Sequence, residues 1–173
     1  YRSAYVGKWH LYASEEKVLG KADDFHDNEK NQFVPPGENR LGFDDFWAAW
    51  NFNHEYYKGF YYRDTMDRQE IDGYEPDVMT DIAVRQIGQY ANANDPFFMC
   101  VSYGTPHSPW TEDNVPAEWL ELFKDVDFDY PQTYRDSSAP WWHEWFDEAW
   151  WLKNIKPRIP TWQKIYHAMT ANL

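Results

Sequence analysis

The chain carries a single cysteine, Cys100, so it can form neither an internal disulfide nor a multi-cysteine zinc site, and cysteine usage leaves the redox compartment undecided. Basic residues are scarce: 16 Lys plus Arg face 29 Asp plus Glu, for a net charge of -13. A surface of that sign repels nucleic acid and anionic membranes on average, so neither is expected as a partner. No apolar run approaches the roughly 18 residues of a membrane-spanning helix, in keeping with a mean hydropathy of -0.86. Internal repeats, low-complexity tracts and a recognisable interdomain linker are missing as well. No Met opens the chain, and no basic segment followed by an apolar one resembles a signal peptide. Strand-like residues from Tyr1 to Val6 and an amphipathic pattern running to Leu173 predict a segment cut from mid-domain at both ends.

What the chain has in abundance is aromatic surface. Eleven Trp, 11 Phe and 13 Tyr bring aromatics to 20% of 173 residues. That excludes a disordered chain, which lacks the apolar area to offset ordering entropy. The length and a 43% hydrophobic content fit one globular domain with a sizeable core. With so acidic a balance, cationic, neutral or metal partners are expected. An anionic small substrate is admissible only where a few basic groups oppose the global field locally.

Ala4, Tyr5 and Val6 read as the end of a buried strand that gives way to loop at Gly7. Residues 12–42, charged and punctuated by Pro35, Pro36 and Gly37, read as surface loop with a helical turn near Glu15 to Leu19. Phe43 to Trp50 reads as a short aromatic strand. Val78, Ile82, Val84, Ile87 and Tyr90 after Pro76 predict a helix over Asp77–Ala91. The turn signal Asn94-Asp95-Pro96 then leads into Phe97–Tyr103, a strand apolar on both faces, as a parallel sheet covered by helices requires. Helix followed by strand is half of a βαβ unit, so the favoured class is α/β, a mixed and largely parallel sheet with helices on both faces. Residues 111–160 are less regular, with one helix hinted at by Trp119, Leu120, Leu122 and Phe123. Trp162, Ile165, Tyr166, Met169 and Leu173 predict a last helix that starts at Pro160-Thr161.

Two stretches fall just past the C-terminal ends of the expected parallel strands: Gly7-Lys8-Trp9-His10 and Gly104-Thr105-Pro106-His107-Ser108-Pro109. Ligands of open α/β sheets bind at that edge because the loops converge there. A fixed ammonium and two imidazoles suit a tetrahedral oxyanion, offering point charge and N–H donors while a histidine moves a proton near neutral pH.

These residues carry a resemblance. Tyr5-Val6-Gly7-Lys8-Trp9-His10-Leu11 resembles the Gly-Lys-Trp-His-Leu signature of the type I sulfatases, within the alkaline-phosphatase-like superfamily, and Pro106-His107-Ser108-Pro109 resembles that family's Pro-His-x-Pro loop. Leu41-Gly42-Phe43-Asp44, Phe46-Trp47, Tyr61-Tyr62-Arg63-Asp64, Tyr74-Glu75, Asp95-Pro96-Phe97-Phe98 and Tyr166–Leu173 follow in the family's order. The resemblance spans nearly the whole chain and is weakest over residues 111–160.

It implies an alkaline-phosphatase-like sandwich and a sulfuric ester hydrolase that uses a formylglycine nucleophile and a calcium ion. Lys8 would then contact sulfate and nucleophile, His10 would be the base that restores the nucleophile, and His107 would bind sulfate or protonate the leaving oxygen. His54, in Asn53-His54-Glu55-Tyr56, would be a substrate-binding residue of a loop beside the substrate. The resemblance also implies a periplasmic, secreted or lysosomal setting.

The chain departs from the family at several points. The formylglycine motif is absent, since Cys100 is followed by Val101 and Ser102, and so are the family's Asp-rich calcium ligands and its second sulfate-binding Lys. Nucleophile and calcium ligands are therefore expected outside this segment, which makes residues 1–173 part of a catalytic domain that is inactive by itself and holds no metal. Tyr12 stands where the family often has Gly.

Asp125, Asp127 and Asp129 mimic a calcium loop but have Tyr130 where Gly is needed, and His143-Glu144 lacks a second His four positions on. Trp141, Trp142, Trp145, Trp150 and Trp151 present flat faces for sugar rings or for packing alike. The expected substrate is a sulfate monoester, with a carbohydrate as candidate carrier. The rival readings are a phosphatase, phosphodiesterase or phosphonate hydrolase of the same superfamily, or a non-catalytic carbohydrate-binding protein.

Overall fold

The computed structural model describes residues 1–12, 29–130, 132 and 148–173. They form two compact units, Tyr1–Ser108 and Pro109–Leu173. Strands β1 (Arg2–Lys8), β2 (Phe46–Trp50), β3 (Phe60–Tyr61), β4 (Gln69–Glu70) and β5 (Phe97–Ser102) all belong to the first unit, as do helices α1 (Glu29–Gln32) and α2 (Glu75–Asn92).

β1 is the centre of a three-stranded parallel sheet ordered β2-β1-β5, while β3 and β4 pair antiparallel. The chain leaves β1 first to one side and later to the other, which makes the C-terminal end of β1 the point where the strand order reverses. The expected loop at Gly7 is corrected, because β1 continues through Lys8. Gly7 has φ 107°, and a Cβ there would lie 2.0 Å from the Ser102 carbonyl oxygen. A glycine therefore lets β1 stay paired with β5 for one more step, where any side chain would force the strands apart.

Period-two alternation sorts the sheet into two faces. Val6, Ala48 and Trp50 are buried with Met79, Ile82 and Ala83 of α2, and Tyr5, Trp47 and Ala49 are buried with Trp9 and Val34. Tyr5 stacks on Trp47 at 5.3 Å, and Trp9 meets Trp47 edge-on at 5.1 Å. Burying each such side chain contributes about 1.5–3 kcal/mol.

α2 starts two residues before the expected Asp77, since Pro76 in the first turn costs no hydrogen bond. Its buried stripe also differs: Met79, Ile82, Ala83, Gln86 and Tyr90 are inside, while Val84 and Ile87 are 61% and 41% exposed. At about 100° per residue Met79, Ile82, Ala83, Gln86 and Tyr90 fall on one face of the helix, and Val84 falls on the far side of it. The expectation for β5 needs correction as well. Phe97 and Phe98 are 37% and 63% exposed, and among the described residues β5 has a strand neighbour on one side only.

The described part of residues 12–42 is not surface loop throughout. Asn31, Gln32, Val34 and Arg40 are buried. Arg40 lies over the Trp47 ring at 4.6 Å, donates to the Val34 and Arg63 carbonyls and pairs with Asp64 at 2.7 Å, so its charge is buried with its donors satisfied. The helical turn expected at Glu15–Leu19 lies outside the described residues.

The second unit contains α3 (Ala117–Glu121), α4 (Glu148–Asn154) and α5 (Ile159–Ala171). α5 begins where Pro160 predicts and buries Ile165, Ala168 and Met169, with Tyr166 42% exposed. The helix hinted at by Trp119 is a short one, and Leu122 lies past its end, 62% exposed. Of the Trp-rich stretch, Trp151 is buried and Trp150 is 40% exposed; Trp141, Trp142, Trp145 and the His143-Glu144 pair lie outside the described residues.

Candidate active site

The parallel arrangement delivers three loops to one edge of the sheet: residues 9–12 after β1, 51–59 after β2 and 103–108 after β5. The middle one brings His54. Lys8, the last residue of β1, is 8% exposed, and its Nζ lies 2.6 Å from His54 Nε2. Burial pushes the Lys8 ammonium below its usual pKa, and the Glu75 carboxylate opposes that shift. With Lys8 as an ammonium, which can only donate, Nε2 of His54 is the acceptor of this contact.

The His54 ring stacks on His107 with centroids 4.2 Å apart and planes 21° from parallel. His107 is held by its own loop. Its N–H donates to the Gly104 carbonyl at 3.2 Å, and Nδ1–H donates to the Ser108 carbonyl at 2.8 Å. The Tyr56 hydroxyl lies 2.7 Å from the His107 carbonyl oxygen and 3.0 Å from that of Gly104, so its proton is shared between the two. Because Nδ1 is engaged with a carbonyl, Nε2 is the ring nitrogen that its own loop leaves unused.

His10 is exposed and left-handed at φ 57°, with its ring edge-on to Phe52 at 4.9 Å. Three bonds fix the chain around it: Tyr5 Oη–H to the Lys8 carbonyl (2.6 Å), Trp9 N–H to the Trp50 carbonyl (2.8 Å) and Asn51 Nδ2–H to the Tyr12 carbonyl (2.6 Å). Asn51 also donates to the Asn31 carbonyl at 2.8 Å, which ties α1 to the same loop. The structure thus joins Lys8, His54 and His107 into one cluster and sets His10 beside Phe52, two residues before His54.

Two residues of this edge carried no role in the sequence reading: Tyr56, which fixes the His107 loop, and Glu75. The Glu75 Oε1 accepts the Gly104 N–H at 2.9 Å, and burial pushes its carboxyl up to about 7 against the pull of Gly104 and Lys8. A glutamate beside a helix start reads from sequence as an ordinary first-turn charge; nothing in its neighbours in the chain signals that it faces inward.

Among the described residues no group of three or more His, Cys, Asp or Glu is placed to hold a metal ion. Cys100 lies within β5. The described residues therefore offer no cluster for a calcium ion. No helix among them is long and apolar enough to cross a membrane.

The sulfatase family model matches residues 1–140, the greater part of the chain. The chain belongs to the sulfatase family. It is 29% identical over 124 residues to an ulvan-active sulfatase of Formosa agariphila, covering 71% of this chain and 21% of that protein. It is also 29% identical over 130 residues to the uncharacterized sulfatase YdeN of Escherichia coli, covering 71% of this chain and 22% of that one. The chain thus spans about a fifth of the length of these curated relatives.

Among solved structures it resembles yidJ of Bacteroides fragilis, a candidate sulfatase, with a TM-score of 0.72 at 23% identity over 99% of this chain and 35% of that one. A Bacteroides thetaiotaomicron chain from work on glycosaminoglycan metabolism matches with a TM-score of 0.58 at 18% identity, over 99% and 36%. These likenesses show the alkaline-phosphatase-like α/β fold expected of the chain.

Proposed function

We propose that residues 1–173 are the central part of a sulfatase catalytic domain, and that the full-length protein hydrolyses sulfate monoesters carried on carbohydrate. The observation that supports this most is the Lys8–His54–His107 cluster at the C-terminal end of the central strand in a sulfatase-family chain. A buried ammonium that an imidazole contacts at 2.6 Å exchanges that partner for a sulfate oxygen at little structural cost. His54 and His107 then add N–H donors to the other oxygens, beside a Lys8 whose burial strengthens its own bond.

His107, with Nδ1 tied to Ser108, delivers its Nε2 proton to the leaving alcohol oxygen. His10, exposed beside Phe52, acts as the base. The formylglycine nucleophile and the calcium ligands come from parts of the protein outside this chain. A carbohydrate substrate accords with the ulvan activity of the Formosa relative, and a periplasmic or secreted setting accords with the family.

The test offers the full-length protein paired sulfate and phosphate monoesters of one aryl alcohol, together with sulfated oligosaccharides. Sulfate release at least tenfold faster than phosphate release, extending to the oligosaccharides, is the expected result. Preference for the phosphate ester would instead mark a phosphatase of the same superfamily, and oligosaccharide binding with no release a carbohydrate-binding protein.

A further inference from the structure

The roles given to Lys8, His10, His54 and His107 leave a buried carboxyl at this edge unused. Glu75 opens α2 and is 0% exposed. Its backbone N–H donates to the Tyr56 carbonyl at 2.8 Å, and its Oε1 accepts the Gly104 N–H at 2.9 Å. Oε2 is equally buried and accepts no hydrogen bond among the described residues. A buried carboxyl with an idle oxygen is destabilising, and a glutamine amide would serve Gly104 equally well. The presence of an acid therefore needs a reason beyond holding a loop.

The surroundings supply one. Lys8, on β1, is the cation that acts on Glu75, and the two groups appear in each other's electrostatics. Tyr56, from the loop after β2, and Tyr74, at the helix start, are the other titratable groups facing it; burial raises both phenols, so both stay neutral. His54 and His107 join the group through Lys8 and through the Gly104 loop. Gly104 is gripped from both sides, its N–H by Glu75 and its carbonyl by Tyr56. A Cβ on Gly104 would lie 2.9 Å from Glu75 Oε2 and 2.9 Å from the Tyr56 ring, so no side chain fits in the grip.

We propose that Glu75 is a positioning residue of the sulfate site, the buried counter-charge that keeps Lys8 an ammonium and, through Gly104, fixes the loop carrying His107. This rests on the reading of the cluster as a sulfate site. The electrostatics run in the direction of that role: burial lowers the Lys8 pKa, and the Glu75 carboxylate acts against that shift.

In the full-length protein, Glu75→Gln keeps the acceptor for Gly104 and the shape but removes the charge. The alkaline limb of inorganic sulfate binding, and of kcat/KM for a sulfate ester, is expected to move about one pH unit lower. Affinity above the wild-type limb falls about tenfold with it, while Glu75→Asp recovers part of the limb. A glutamine variant with the wild-type limb overturns the proposal and leaves Glu75 a packing residue.

Should Glu75→Gln fail to fold, Lys8→Met tests the same coupling from the other end, because linkage is reciprocal. Carbon-13 NMR should then show the Glu75 carboxyl titrating higher than in the wild type; an unchanged titration overturns the coupling. A wild-type protein that neither binds inorganic sulfate nor hydrolyses the ester strikes the site reading itself, and the inference with it.

Discussion

Lys8 reaches the sheet edge on the strength of its neighbour. Gly7 adopts φ 107° with the Ser102 carbonyl oxygen in the space a Cβ would fill, so Gly7→Ala combines backbone strain with a steric clash. The expected cost is about 3 kcal/mol, read as a lowered urea midpoint with an unchanged slope. Glu75 adds a pH dependence whose sign can be worked out. Its carboxyl rises from 4.5 to about 7 on folding, so the folded protein holds the extra proton between those values. Stability from this group is then fully present below about pH 4.5, is lost as pH rises to about 7, and is flat above that. Lys8 works in the opposite sense at alkaline pH: its lowered pKa makes the unfolded chain the better proton binder, so stability climbs with pH up to about 10.5. Denaturation midpoints across pH 4–8 check the first slope, and Glu75→Gln should flatten it.

At the level of elements, α2 is the support under the site, since its first residue touches the His107 loop and its next turns pack on β1. Met79 is fully buried between helix and sheet, and Met79→Ala is expected to cost about 2–5 kcal/mol by denaturant titration. Much of this layer was legible in the sequence. Pro76 and the apolar spacing marked the helix, the Phe97–Tyr103 run marked a parallel strand though not its exposure, and the two histidine motifs marked the loops beyond β1 and β5. The missing features share a physical cause, namely contacts between residues far apart in the chain. The stripe of α2 shifted because the sheet accepts Ala83 and leaves Val84 to solvent. Arg40 looked like a solvated loop charge, yet Trp47 and the Val34 and Arg63 carbonyls enclose it. His54 was read as a substrate residue by resemblance, but its contact with Lys8 depends on β2 lying parallel beside β1, which periodicity does not encode.

For the molecule as a whole, the proposed function asks a chain of net charge -13 to admit an anion, and the buried ammonium and two imidazoles gathered where three loops meet are the groups proposed to receive it. In that proposed site, desolvation strengthens the hold of the buried cation on an oxyanion, and Glu75 is the proposed offset to the resulting loss of charge. Family membership and the α/β fold stand on the family match and the structural neighbours; the sulfate ester stands on the cluster. The central claim is that Lys8 and His107 engage that ester. It is tested most directly by the rate of sulfate release from a sulfated substrate by the full-length protein carrying Lys8→Ala or His107→Ala, each checked for an unchanged circular dichroism spectrum. A fall of about a hundredfold or more in kcat/KM for each variant is the predicted result. Wild-type sulfate release from either variant would contradict it.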